Sequence, residues 1–224
     1  MRNSEDDMNR EYELILFDLD GTLLDTSLGI FNSVRYAEKE MGFSPIPEAR
    51  LEEFVGPPPK TMYMKIYGVN EEIAFWAAQK HREYGSAKAI FEAIVYPGVL
   101  GLLERLKEQG YKLGVATLKS QKIAEKILEN FQLSQYFDVI VGMDEKESLS
   151  KRDTIKIAIE MTNTTGQTLM IGDSLYDYEG AKGAGVKFLG VLYGFGFKDN
   201  DNKEIPFVRR PNEIGKYIDG KKKS

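Results

Sequence analysis

The stretch LILFDLDGTLLDT, residues 14–26, decides how this chain is read. Four apolar residues, Leu14, Ile15, Leu16 and Phe17, follow one another without alternation and stop at Asp18 and Asp20. A strand covered on both faces reads as such a continuous run, the pattern of the centre of a parallel sheet. Gly21 and Thr22 come next, then a third acid, Asp25. Bare carboxylates packed at the mouth of a buried strand repel one another and drive at least one toward its protonated form. A cation bound among them would resolve that conflict.

The rest of the chain supplies the sheet to which this strand belongs. Beyond YPGV (96–99) the pattern alternates between helix and strand. The helical segment LLERLKEQG precedes the strand YKLGVAT (111–117), and SQKIAEKILENF, with Ser120 as N-cap, precedes FDVIVG (137–142). A helix over 152–161, the strand TLMIGD (168–173), the helix LYDYEGAKGAG and the strand VKFLGVLYG follow. Such repetition predicts an α/β fold, a doubly wound parallel sheet with helices on both faces.

Residues 28–92 carry helical spacing and no convincing strand. Ile30, Val34, Ala37 and Met41 share one face up to a stop at Gly42; Ile73, Trp76, Ala77, Lys80 and Tyr84 share another. FVGPPPK (54–60) is a rigid turn. The expected organisation is a flexible leader over 1–11, a core domain over 12–27 and 93–224, and a small all-helical cap domain over 28–92 inserted after the first strand. Met62, Met64, Trp76 and Tyr84 are expected in the core of that cap.

Composition removes several function classes. The 224 residues contain no cysteine, which excludes disulfides, thiolate metal sites and cysteine nucleophiles. One histidine, His81, excludes a multi-histidine metal cluster. A net charge of −5 gives no basic field for a nucleic acid polymer or an anionic membrane, and the short terminal KKKS reads as a solvated tail. The polar, acidic first residues are unlike a signal peptide, and no apolar run reaches transmembrane length, so the cytoplasm is the expected location. Nothing in the sequence identifies an oligomer interface.

Ligands of open parallel sheets sit outside the carboxyl ends of the strands. There the sequence places Asp18 and Asp20, then Thr117 and Lys119, then Asp144 and Glu145 with Lys151 beyond, then Asp173 and Ser174 with Asp177 one turn later. Oxygen ligands without histidine or cysteine point to magnesium. A magnesium ion, a lysine and a hydroxyl facing one space suit phosphoryl transfer, with an aspartate as nucleophile.

DLDGT (18–22), Thr117, Lys151 and GDSLYD (172–177), in that order and separation, resemble the four signature motifs of the haloacid dehalogenase superfamily. The resemblance spans residue 13 to about 215. The helical insertion resembles the small cap of its phosphoglycolate phosphatase-like and 5′-nucleotidase-like members. It implies Asp18 as nucleophile and Asp20 as acid–base; dehalogenating relatives lack that second aspartate. It further implies Thr117 and Lys151 on the phosphoryl group, turn geometry and backbone contacts from Gly21 and Thr22, and magnesium held by Asp18, the Asp20 carbonyl and Asp173, supported by Asp177. Where many relatives follow the motif lysine with proline, this chain has Arg152, and Lys146 is a nearby alternative to Lys151. The implied activity is a magnesium-dependent phosphatase of a small phosphomonoester, phosphoglycolate phosphatase-like, with a 5′-nucleotidase as the alternative. A phosphomutase and a non-catalytic module are the remaining alternatives. VGPPP, KRD and GVLYGFG lean toward the nucleotidase branch.

Other features have simpler readings. Asp25 reads as a local turn or cap residue. GAKGAGV (180–186) has the wrong glycine order for a dinucleotide fingerprint and reads as helix termination and tight packing; LYGFGF (192–197) reads as a loop at the sheet edge. Arg82, on the insertion, is a candidate for gripping the substrate, and Lys119 for facing the phosphate. His81 and Arg82 are adjacent on a helix and cannot point the same way.

Overall fold

The computed structural model describes residues 10–198 and 204–220. Apart from Arg10 and Glu11, the leader expected over 1–11 lies outside the described residues, as does the terminal KKKS. Strand β1 (Leu14–Phe17) is followed by the short strand β2 (Leu24–Asp25) and helices α1 (Ser27–Met41), α2 (Pro59–Tyr67) and α3 (Glu71–Ala87). The chain returns through β3 (Ile94–Val95) into α4 (Val99–Glu108), β4 (Lys112–Ser120), α5 (Gln121–Asn130), β5 (Val139–Met143) and α6 (Lys151–Met161). Strand β6 (Thr168–Gly172), α7 (Leu175–Ala184), β7 (Lys187–Val191), β8 (Phe207–Val208) and α8 (Pro211–Asp219) complete it.

The main sheet has the order β5-β4-β1-β6-β7-β8, and every neighbouring pair runs parallel. Its central strand is β1, all four of whose residues are buried. Alternation across the pleat sends Ile15 and Phe17 into one layer with Leu103 of α4, Ile127 of α5 and Ile214 of α8. Leu14 and Leu16 enter the other layer with Ile155 and Ala158 of α6 and Ala181 of α7. The apolar run is therefore the meeting line of two cores, which is why it has no polar position. The expected α/β doubly wound sheet is the observed architecture.

Residues 27–91 build a third core from Ile30, Val34 and Ala37 of α1, Leu51 and Phe54, Met62 and Tyr63 of α2, and Ala74, Ala77 and Ala78 of α3. Helix α1 ends at Gly42, whose φ of 67° lies in the left-handed region. Helix α2 opens on Pro59, as the rigid GPP turn requires. The chain crosses into and out of this helical unit through the antiparallel ribbon of β2 and β3.

The face of α3 departs from expectation. The buried positions are Ala74, Ala77, Ala78, His81 and Gly85, whereas Trp76 is 55% exposed. Met64 is also exposed and Met62 buried. Small residues line the close approach of α3 to its neighbours and push the large ones outward; the Ile73–Trp76–Tyr84 spacing marks a different stripe of the same helix. No helix among the described residues is long and apolar enough to cross a membrane.

Candidate active site

The carboxyl end of β1 opens between its two neighbours. Phe17 lies opposite Val115 of β4 and Ile171 of β6, and the Asp18 N–H donates to the Ile171 carbonyl at 2.8 Å. Asp18 is thus flanked by the ends of the two strands that lead to Thr117 and Asp173. Asp18, Asp20, Thr117, Lys151, Asp173 and Asp177 are all buried.

Lys151 begins α6, behind a capping box made by Ser150 and Asp153. Its Nζ lies 2.5 Å from Asp18 Oδ1 and 2.7 Å from Asp177 Oδ1. Gly180 of α7 makes this reach possible, since a Cβ there would stand 2.6 Å from Lys151 Cγ. Lys151, rather than Lys146, therefore meets the nucleophile candidate. Asp177 does two jobs: Oδ1 faces Lys151, while Oδ2 accepts from Ser174 N and Oγ to cap α7.

Asp173 Oδ2 accepts N–H bonds from Phe195 (2.7 Å) and Gly196 (3.2 Å). The LYGFGF segment (192–197) wraps over this carboxylate and fixes it. On the other side Lys119 Nζ bonds both oxygens of Asp20, at 2.9 and 3.0 Å, and Thr26 Oγ1 donates to Oδ1 at 2.5 Å. The β4–β5 register shifts between Ala116 and Ser120, an irregularity that re-aims the strand end bearing Thr117 and Lys119.

Asp18, Asp173 and Asp177 each offer an oxygen within 4.8 Å of the others. Three carboxylates against the single Lys151 ammonium leave an excess of two negative charges. Burial pushes Asp18 up to about 7, with Asp177 and Asp20 adding to the effect and Lys151 opposing it. Burial, then Asp177 and Asp18, push Asp173 well above the carboxylate range against its two N–H donors. Lys151 moves upward because Asp177 and Asp18 outweigh the burial that disfavours its charge. An all-oxygen set with a charge deficit of two fits a hard divalent cation such as magnesium. The Asp20 carboxylate lies outside this set, engaged instead by Lys119 and Thr26.

Gly21 and Thr22 form the turn that follows the two aspartates. Gly21 N–H donates to Leu24 O at 2.8 Å and Thr22 N–H to Leu19 O at 3.4 Å, so both backbone donors are engaged inside the turn, while the Thr22 hydroxyl is buried without a partner among the described residues. They supply geometry: Gly21 has φ 78°, and a side chain there would run into the Asp173 carboxylate. Asp25 caps locally, accepting from Ser27 N and Oγ as expected.

Arg82 makes no ion pair with the carboxylate cluster. It pairs with Glu147 on the loop after β5, spanning from α3 to the sheet. Both residues line a cavity of about 680 Å³ enclosed by α1, α3 and the ends of β4 and β5, whose wall also includes Asp20 and Lys119. His81 lines it as well; burial, with Lys119 and Arg82 adding to it, drives its pKa down to about 3 and leaves the ring neutral. Thr26 and Glu147 escaped the sequence reading because their importance lies in partners across the fold. Thr26 left one local signal, a hydroxyl residue directly before a helix.

The model of the haloacid dehalogenase-like hydrolases matches residues 15–191. A 5′-nucleotidase of Pseudomonas aeruginosa is 37% identical over 84% of this chain and 86% of its own length. A phosphoglycolate phosphatase of Aquifex aeolicus is 29% identical over 92% of this chain and 96% of its own. The crystal structure of a predicted phosphatase from Clostridium acetobutylicum superposes with a TM-score of 0.87 at 40% identity, covering 93% of this chain and 99% of that one.

Proposed function

This chain belongs to the haloacid dehalogenase-like hydrolase family, and from that membership we propose a magnesium-dependent phosphatase of small phosphomonoesters that works through an aspartyl-phosphate on Asp18. One observation carries the reading: the Asp18 carboxylate, at the open end of the central strand, is held by Lys151 beside Asp173 and Asp177.

Asp18 attacks phosphorus and the bond to the leaving oxygen breaks. Asp20, fixed by Lys119 and Thr26, gives that oxygen its proton. Asp20 then takes a proton from the water that attacks phosphorus, which returns phosphate and the free Asp18 carboxylate. Lys151 and Thr117 hold phosphoryl oxygens during both displacements. Magnesium, held by Asp18, the Asp20 carbonyl and Asp173 with Asp177 behind, would supply charge neutralisation for the phosphoryl oxygens. Residues 28–92 serve as a cap over the leaving group, and its closure excludes bulk water from the first displacement.

The relatives' names carry two leaving groups, glycolate and a nucleoside. The polar, cysteine-free chain suits a cytoplasmic enzyme with a small-molecule substrate. Release of p-nitrophenol from p-nitrophenyl phosphate tests the reading. Turnover should require magnesium and vanish in Asp18→Asn and Asp20→Asn; turnover that survives either substitution contradicts it.

A further inference from the structure

The cavity beside Asp20 is where the leaving group of the proposed phosphatase would lie, and its charges are already matched. Four cations line it, and each is engaged: Lys119 by Asp20, Arg82 by Glu147, Lys80 by Glu83 and Lys122 by Glu145. His81 adds no charge. Lys80–Glu83 and Lys122–Glu145 are exposed pairs; in the withdrawn part of the cavity a carboxylate arriving with the substrate would have to break Lys119–Asp20 or Arg82–Glu147, or lie beside Glu147 and Asp144 uncompensated. Of the pairs, Arg82–Glu147 is the one joining α3 to the sheet with both side chains largely withdrawn from solvent, at 19% and 9% exposure.

The remaining wall is aromatic and apolar. Phe54, Trp76, Ile30 and Leu118 face the space, and the exposure of Trp76, unusual for its size, is explained by its position on this cavity. Glu147 is held in place at some cost. Its φ of 51° lies in the left-handed region disfavoured for a side-chain-bearing residue. Its Oε2 is buried without a partner among the described residues. Strain and an unsatisfied oxygen at one residue of a cavity wall are the marks of a position kept for a task. At about 680 Å³ the space is in the range that holds drug-sized ligands and is far larger than a two-carbon acid fills.

We propose, resting on the phosphatase reading above, that the cavity takes an uncharged, ring-bearing leaving group of nucleoside class, and that Glu147 sets this choice by engaging Arg82, which would otherwise bind a leaving-group carboxylate. Glu147 is thus a specificity-determining residue: it withholds a guanidinium from anions and ties α3 down over a neutral ring stacked against Trp76.

Steady-state kinetics on uridine 5′-monophosphate, adenosine 5′-monophosphate and 2-phosphoglycolate test this. The wild type should favour the nucleotides over phosphoglycolate by at least roughly tenfold in kcat/KM. Glu147→Gln, and Glu147→Ala as a second variant, should shift the phosphoglycolate-to-nucleotide ratio upward by about tenfold, mainly through a lower KM for phosphoglycolate. Adding Arg82→Ala should abolish that gain. A wild type that prefers phosphoglycolate, or an unchanged ratio in both Glu147 variants, overturns the proposal while leaving the phosphatase reading intact. A wild type inert toward p-nitrophenyl phosphate as well overturns both.

Discussion

Lys151 Nζ and Asp18 Oδ1 stand 2.5 Å apart, although 133 positions separate them in the chain. This contact closes the site: one residue ends the central strand and the other opens a helix on the far side of the sheet. Removing the ammonium would leave Asp18 and Asp177 buried without their shared cation. Lys151→Met should therefore abolish activity and lower stability by about 3–5 kcal/mol, the usual cost of breaking a buried pair on one side. Chemical denaturation and turnover measured on one preparation check both parts.

Gly180→Ala tests how that lysine is aimed. A Cβ at position 180 would lie 2.6 Å from Lys151 Cγ, 2.8 Å from its Cβ and 3.2 Å from its backbone carbonyl carbon. Alanine ordinarily favours a helix over glycine by about 0.5–1 kcal/mol, but overpacking here should cost roughly 1–3 kcal/mol and win. The expected result is a lower melting temperature together with a fall in kcat. A fully active, more stable variant would show that α6 and α7 separate without disturbing the site.

Thr26 positions Asp20 through its hydroxyl. Thr26→Val keeps the shape and removes the donor to Asp20 Oδ1. A hydrogen bond to a charged group contributes about 1.5–3 kcal/mol, so kcat should fall by roughly ten- to a hundredfold while KM changes little.

His81 gives the chain a pH-dependent stability. Its pKa falls from 6.5 to about 3 on folding, chiefly through burial. A depressed histidine binds its proton more readily in the unfolded chain, so its contribution is complete above pH 6.5 and is lost as pH falls toward 3. The wild type should lose melting temperature between pH 6.5 and 4.5 more steeply than His81→Gln. Parallel slopes would contradict neutral burial of His81.

The sheet was legible because its central strands are continuous apolar runs that end in charge. LILF, LGVA and TLMIG each sit where the sequence places a strand. Strands β2, β3 and β8, two residues each, carry no pattern of their own and exist through their partners. The face of α3 was misread because alanines and a glycine mark the packed side while the larger residues look outward. Asp18, Thr117 and Asp173 were legible because strand ends collect them, and Lys151 and Asp177 because each lies in the first turn of the helix that follows a strand. The Lys119–Asp20 and Arg82–Glu147 pairs were not, since each joins residues 99 or 65 positions apart and depends on tertiary placement alone.

The central claim is that Asp18 carries the phosphoryl group. Beryllium fluoride with magnesium mimics an aspartyl-phosphate, so thermal unfolding with and without it tests the claim most directly. The wild type should melt several degrees higher in its presence, as expected of any ligand that binds only the folded state. Asp18→Asn should shift little. Equal stabilisation of the two proteins would contradict Asp18 as the nucleophile.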